Sequence, residues 1–152
     1  MTNALLELYR HKTWATLRLI EHCQRLDDKD LDATIPGTYG TIRDTLRHLV
    51  DSEEGYYSIL TRKRFPTKEV AAVFSRPGAL PAGPAEDAEL PDREVTTTDG
   101  FRLPGAVPMA QAIHHADDHR SHVLSILGAR GLEVPLLDVW DYAESAGLMQ
   151  EL

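Results

Sequence analysis

The chain has 152 residues, 42% of them hydrophobic and 26% charged, with 24 acidic against 16 basic side chains and a formal net charge of −8. That length suits a single domain with one sizeable core, and the ordinary apolar and charged fractions argue against wholesale disorder. The acidic balance repels phosphate backbones, so nucleic acid is not an expected partner.

Charges fall too early in "MTNALLELYRHKTW" for the apolar core of a secretory signal, and no apolar run reaches membrane-spanning length. With Cys23 the lone cysteine, no internal disulfide forms. The cytoplasm is the expected compartment and Cys23 an expected small buried residue.

Apolar residues recur with helical spacing from Ala4 to Leu26, with Leu6, Tyr9, Thr13, Leu17 and Ile20 on one line and Leu5, Leu8, Ala15 and Leu19 beside it. Pro36, Gly37 and Gly40 interrupt that pattern in a loop. A second helix should start at Ile42 and stop before Pro66, with Thr41 as N-cap and Asp44 at the capping-box position. Its apolar stripe is Ile42, Leu46, Leu49, Val50, Tyr56, Tyr57 and Leu60. The "RKR" at 62–64 fits a helix C-terminus.

Residues 66–105 hold six of the nine prolines, which leaves room only for short helical pieces near Lys68–Phe74 or Ala85–Leu90. A strong helical pattern returns from Pro108 to Arg130, with Gly131 as the C′ residue, and a short helix is expected within "LLDVWDYAESA". The expected architecture is all-α: an up-and-down four-helix bundle whose third helix is short or irregular, with a short C-terminal helix, in one domain over 1–152.

Four of the seven histidines crowd into "HHADDHRSHV", residues 114–123. At 100° per residue, Ala112, Ala116, Val123, Ile126 and Leu127 lie within roughly 80° of His119, so His119 faces the core. His115 sits about 40° to one side, one turn earlier, while His122 is on the flank and His114 faces solvent at about 140°. The i, i+4 spacing lets His115 and His119 reach one ion; it equally suits two buried histidines hydrogen-bonded to neighbours. On the second helix His48 lies on a line with Thr41, Thr45, Ser52, Gly55 and Ile59, small and hydroxylated residues suited to a cavity wall or to the edge of a helix contact. Three imidazoles from two helices would leave a coordination position open, the pattern of catalytic rather than closed structural metal sites. Neutral imidazoles favour zinc, nickel, copper or ferrous iron.

The stretches "GTYGTIRDTLRHLVDSEEGYY" and "AQAIHHADDHRSHVLSILGARGLEVPLLDVWDYA" resemble the DinB-like superfamily of metal-binding four-helix proteins. The most specific element is H-x3-HR, here His115, His119 and Arg120, together with His48 in the second helix. The resemblance implies a divalent metal, commonly zinc or nickel, held by His48, His115 and His119, often within a homodimer. It also implies kinship with thiol-dependent transferases and isomerases that use mycothiol or bacillithiol, in detoxification or the stress response. A non-catalytic metal-binding stress protein and a metal-dependent hydrolase are the alternatives. The proline-rich stretch departs from the family's well-formed third helix, so that wall of the bundle is abbreviated or supplied by another subunit.

Asp44, one turn before His48, is a candidate partner for its second ring nitrogen as well as a cap, and Asp51 a weaker one. Arg120 would orient an anionic substrate or tie helices together. Asp117 and Asp118 read as solvated, and Trp14, Trp140 and Tyr142 as packing residues, Tyr142 also as a candidate for the pocket rim.

Overall fold

The computed structural model describes residues 4–63 and 87–150. In chain order the described elements are α1 (Ala4–Cys23), α2 (Asp28–Leu31), α3 (Ile42–Thr61), β1 (Glu94–Thr96), β2 (Arg102–Pro104), α4 (Ala106–Ala129) and α5 (Val139–Ser145). The protein is an all-α helical bundle carrying one two-stranded ribbon and a short C-terminal helix. The Lys68–Phe74 piece and most of the expected third wall lie outside the described residues.

Local chemistry sets the helix ends. Thr41 caps α3, its hydroxyl accepting from the Asp44 amide at 3.0 Å and donating to the Asp44 carboxylate at 2.8 Å. Arg62 closes α3 in the left-handed region at φ 58°, and Gly131 takes φ 67° just past α4, where a residue without Cβ costs least. A reciprocal Asp138–Asp141 capping box starts α5. The α2 turn, capped by Asp27, interrupts what the sequence presents as plain loop.

Two apolar clusters give the helix directions. Leu19, Ile20 and Cys23 of α1 meet Ile42, Leu46, Leu49 and Val50 of α3 and Val123, Ile126 and Leu127 of α4. At the other end Leu6 and Tyr9 meet Leu60, Met109 and Ala112. The start of α3 therefore lies beside the ends of α1 and α4, so α3 runs antiparallel to both.

The sequence pattern misplaces two kinds of residue on α1. Leu8 is exposed, while His11, Lys12, Thr16 and His22 are buried, because the face carrying 12, 16, 19 and 23 turns inward. Lys12 is only 1% exposed. Its ammonium pairs with Glu53 of α3 and lies 4.1 Å from the Tyr9 ring centroid. Trp140, expected to pack, is 74% exposed. Trp14 and Tyr142 do pack, with ring centroids 5.9 Å apart, and the Tyr142 hydroxyl donates to Glu7 at 3.1 Å, away from any histidine of α3 or α4.

Within residues 66–105, where the sequence leads one to expect only short helical pieces, the structure forms a ribbon. β1 and β2 are antiparallel, with Val95 opposite Leu103, and Gly100 at φ 92° turns the chain between them. The Asp99-Gly100 pair beside a Val-Thr run is a recognised hairpin signal, masked here by the surrounding prolines. Behind it, Gly105 donates to the Arg93 carbonyl at 2.8 Å. A Cβ at Gly105 would meet the Leu90 carbonyl oxygen at 2.1 Å, so only glycine lets this loop close onto the start of α4.

Candidate metal centre

His48 reaches the site from α3 and His115 and His119 from α4, one helical turn apart. Ala112, Ala116, Val123, Ile126 and Leu127 are all fully buried, which fixes the rotation of α4 and turns His119 inward. His119 is buried, His115 and His48 are partly buried, and His114 faces solvent. One ligand atom from each of His48, His115 and His119 lies within 4.8 Å of the other two, a grouping that could hold a metal ion. The Nε2 atoms of His48 and His115 are 3.0 Å apart. Donors about 2.0–2.1 Å from a tetrahedral ion stand about 3.3 Å from one another, so this pair is close to ligating separation.

Ring packing holds the cluster. Tyr39 stacks on His48 with centroids 4.4 Å apart and planes 15° from parallel, and meets His119 edge-on at 4.9 Å. Tyr56 lies edge-on to His115 at 5.9 Å, and the Ser52 hydroxyl is 3.5 Å from His115 Nε2. Tyr39 has no signal in the sequence pattern: it sits in a loop, and only the closure of that loop over α3 brings it to the histidines. The hydroxyl line of α3 divides. Thr45 is fully buried and donates to the Thr41 carbonyl, whereas Ser52 reaches the cluster.

The electrostatics favour neutral rings. Burial, then the neighbouring His115, His48 and His122, push the His119 pKa down to about 4. Burial, then His48, lowers that of His115 as well. Neutral imidazole is the form that binds metal. Both Nδ1 atoms, of His115 and of His119, are buried without a hydrogen-bond partner among the described residues. The fit to an ion rests on the opposite edge of the His115 ring, where its Nε2 faces that of His48, and on a donor set of three imidazoles.

The other candidates sort cleanly. No hydrogen bond joins Asp44 or Asp51 to His48 among the described residues; the Asp44 carboxylate is taken by Thr41. Arg120 is buried and donates to the Lys12 carbonyl at 3.2 Å and Thr16 hydroxyl at 3.1 Å, so it ties α4 to α1 rather than facing a substrate. Cys23 is 1% exposed and burial pushes its thiol up to about 12, which removes it as a nucleophile.

A groove of about 430 Å³ opens onto His48, lined by Tyr39, Gly40, Asp44, Arg47 and Asp51. A larger one of about 720 Å³ runs between α1 and the C-terminal segment past Trp14, His22 and Leu136, and shares no residue with the cluster.

The family model described as DinB family matches residues 1–75. That match supports a DinB-like superfamily assignment. In this DinB-like chain the match takes in His48 and ends before α4, so the placement of His115 and His119 comes from the geometry above. No curated protein and no solved structure matches the chain. No helix among the described residues is long and apolar enough to cross a membrane.

Proposed function

We propose that this DinB-like protein is a metal-dependent thiol S-transferase of the mycothiol or bacillithiol type, with zinc or nickel held by His48, His115 and His119. The observation that carries the reading is the convergence of three imidazoles beside an open groove, with no fourth carboxylate, thiol or imidazole in that group among the described residues. An ion bound there would lower the pKa of a coordinated thiol toward neutrality.

The protein's own part is positioning. Tyr39 fixes the His48 ring and walls the groove, and the low proton affinity of His119 and His115 keeps them as acceptors at neutral pH. The groove reaches His48 of the three histidines and is the approach an electrophile would take in this reading. With monochlorobimane as acceptor, sulfur forms the new bond to carbon and chloride leaves with its electron pair. The thiol proton passes to solvent. Elemental analysis of protein purified without an affinity tag identifies the ion, and bimane conjugation with each thiol tests transfer. A rate well above the His119→Ala control is expected; no difference for either thiol argues against transfer to this acceptor.

One observation favours a non-catalytic reading: the cluster joins the middle of α3 to the middle of α4, where a bound ion would staple the bundle. Early melting on chelation, with no thiol binding, would support it. In the leading reading the protein acts in the cytoplasm in detoxification or the stress response, as a homodimer. Exposed Leu136 and Trp140 support the dimer, and sedimentation tests it.

A further inference from the structure

We propose that Asp118, His119 and His122 form a second, solvent-facing position for a divalent transition-metal cation, which shares His119 with the inner cluster and serves to load it. One ligand atom from each of the three lies within 4.8 Å of the other two. The spacing explains this: Asp118 and His122 are one turn apart, and His119 and His122 are three residues apart, neighbours on one helix face. The His119 and His122 ring centroids are 5.4 Å apart. The Nδ1 of His122 is buried with no partner among the described residues, as is that of His119. Asp118, read from sequence as a solvated residue, is exposed beside them. Two imidazoles and a carboxylate form a donor set that suits zinc, nickel, cobalt or ferrous iron.

The two positions differ in chemistry. The inner group is three imidazoles with no carboxylate, beside the ring of Tyr39; the outer one adds an exposed carboxylate that attracts a dication still carrying water. A neutral imidazole has one unprotonated nitrogen, so His119 serves one position at a time. The pair therefore holds one ion per chain, captured outside and kept inside. The loading role rests on the inner site proposed above, whereas the outer site stands without it.

Cobalt(II) is the probe, read by equilibrium dialysis and by its visible absorption. In the His48→Ala/His115→Ala protein one weaker Co2+ per chain should remain, and adding His122→Ala or Asp118→Asn should weaken it by at least about 10-fold. Absence of Co2+ uptake in the double variant, or uptake indifferent to both further changes, overturns the outer site. In the otherwise unaltered chain, Asp118→Asn and His122→Ala should slow Co2+ loading in stopped flow while the final stoichiometry stays at one. Unchanged loading overturns the relay, and this arm decides the matter should the double variant misfold. The inner site fails separately: His48→Ala/His115→Ala would then bind Co2+ as tightly as the wild-type chain.

Discussion

Two polar constellations share α3 and α4, the first reaching α1 as well, and they are finished differently. In the first, Lys12 pairs with Glu53, the Arg120 guanidinium donates to the Lys12 carbonyl, the Thr16 hydroxyl and Asp117, and Thr16 donates in turn to the Lys12 carbonyl. No buried side-chain nitrogen or oxygen of Lys12, Thr16, Glu53 or Arg120 lacks a partner. In the second, His115, His119 and His122 each keep a buried ring nitrogen unpartnered among the described residues. A closed network is complete without any ligand and serves the fold. An open one carries a desolvation cost that the fold itself leaves unmet.

The sharpest way to break this contrast is to open the closed network. Glu53→Ala strands the buried Lys12 ammonium and should cost about 3–5 kcal/mol in urea unfolding, whereas Lys12→Met with Glu53→Leu should restore most of it. A single change costing under about 1 kcal/mol would show the pair to be surface-like.

Filling the open constellation should act next. Metal at a hundredfold excess over Kd should stabilise the wild-type chain by about 2.7 kcal/mol, and His119→Ala should abolish that gain. Equal metal-induced shifts in calorimetry of the two proteins would contradict the site.

A smaller effect follows pH in chelator. Unfolded histidine titrates near the ordinary value of 6.5, while folded His119 does so at about 4. Between those values the unfolded chain binds more protons, so stability falls as pH drops through that window and this contribution levels off below it. His119→Ala should therefore lose less stability than wild type between about pH 7 and about pH 5. Parallel losses in the two proteins would sink the claim.

The smallest change lies outside both constellations. Thr41→Ala removes the α3 cap, should cost about 1 kcal/mol, and should leave metal stoichiometry unchanged, since the Asp44 carboxylate serves Thr41 and not His48. A lost ion in that variant would mean that Asp44 supports His48 after all.

Much of this was legible in the chain itself. Helical periodicity placed α1, α3 and α4 within a few residues, and the 100° advance alone turned His119 inward and His114 outward, because both rest on local spacing. That His48 would meet His115 and His119 rested on resemblance, since nothing local tells which turn of one helix faces which turn of another. The hairpin at 94–104 was readable from Asp99-Gly100 but hidden among prolines. Arg120 was readable as a tie between helices, one of its two readings, but Lys12 and Tyr39 were not readable. A lysine is buried only when a carboxylate from another helix awaits it, and a loop tyrosine stacks on a histidine only after the loop has closed. Sequence alone determined which faces of α3 and α4 turn inward, because that follows from periodicity within one helix. The tertiary structure decided which polar groups are paired and which are left open, because hydrogen bonding between elements depends on distances that no single segment encodes.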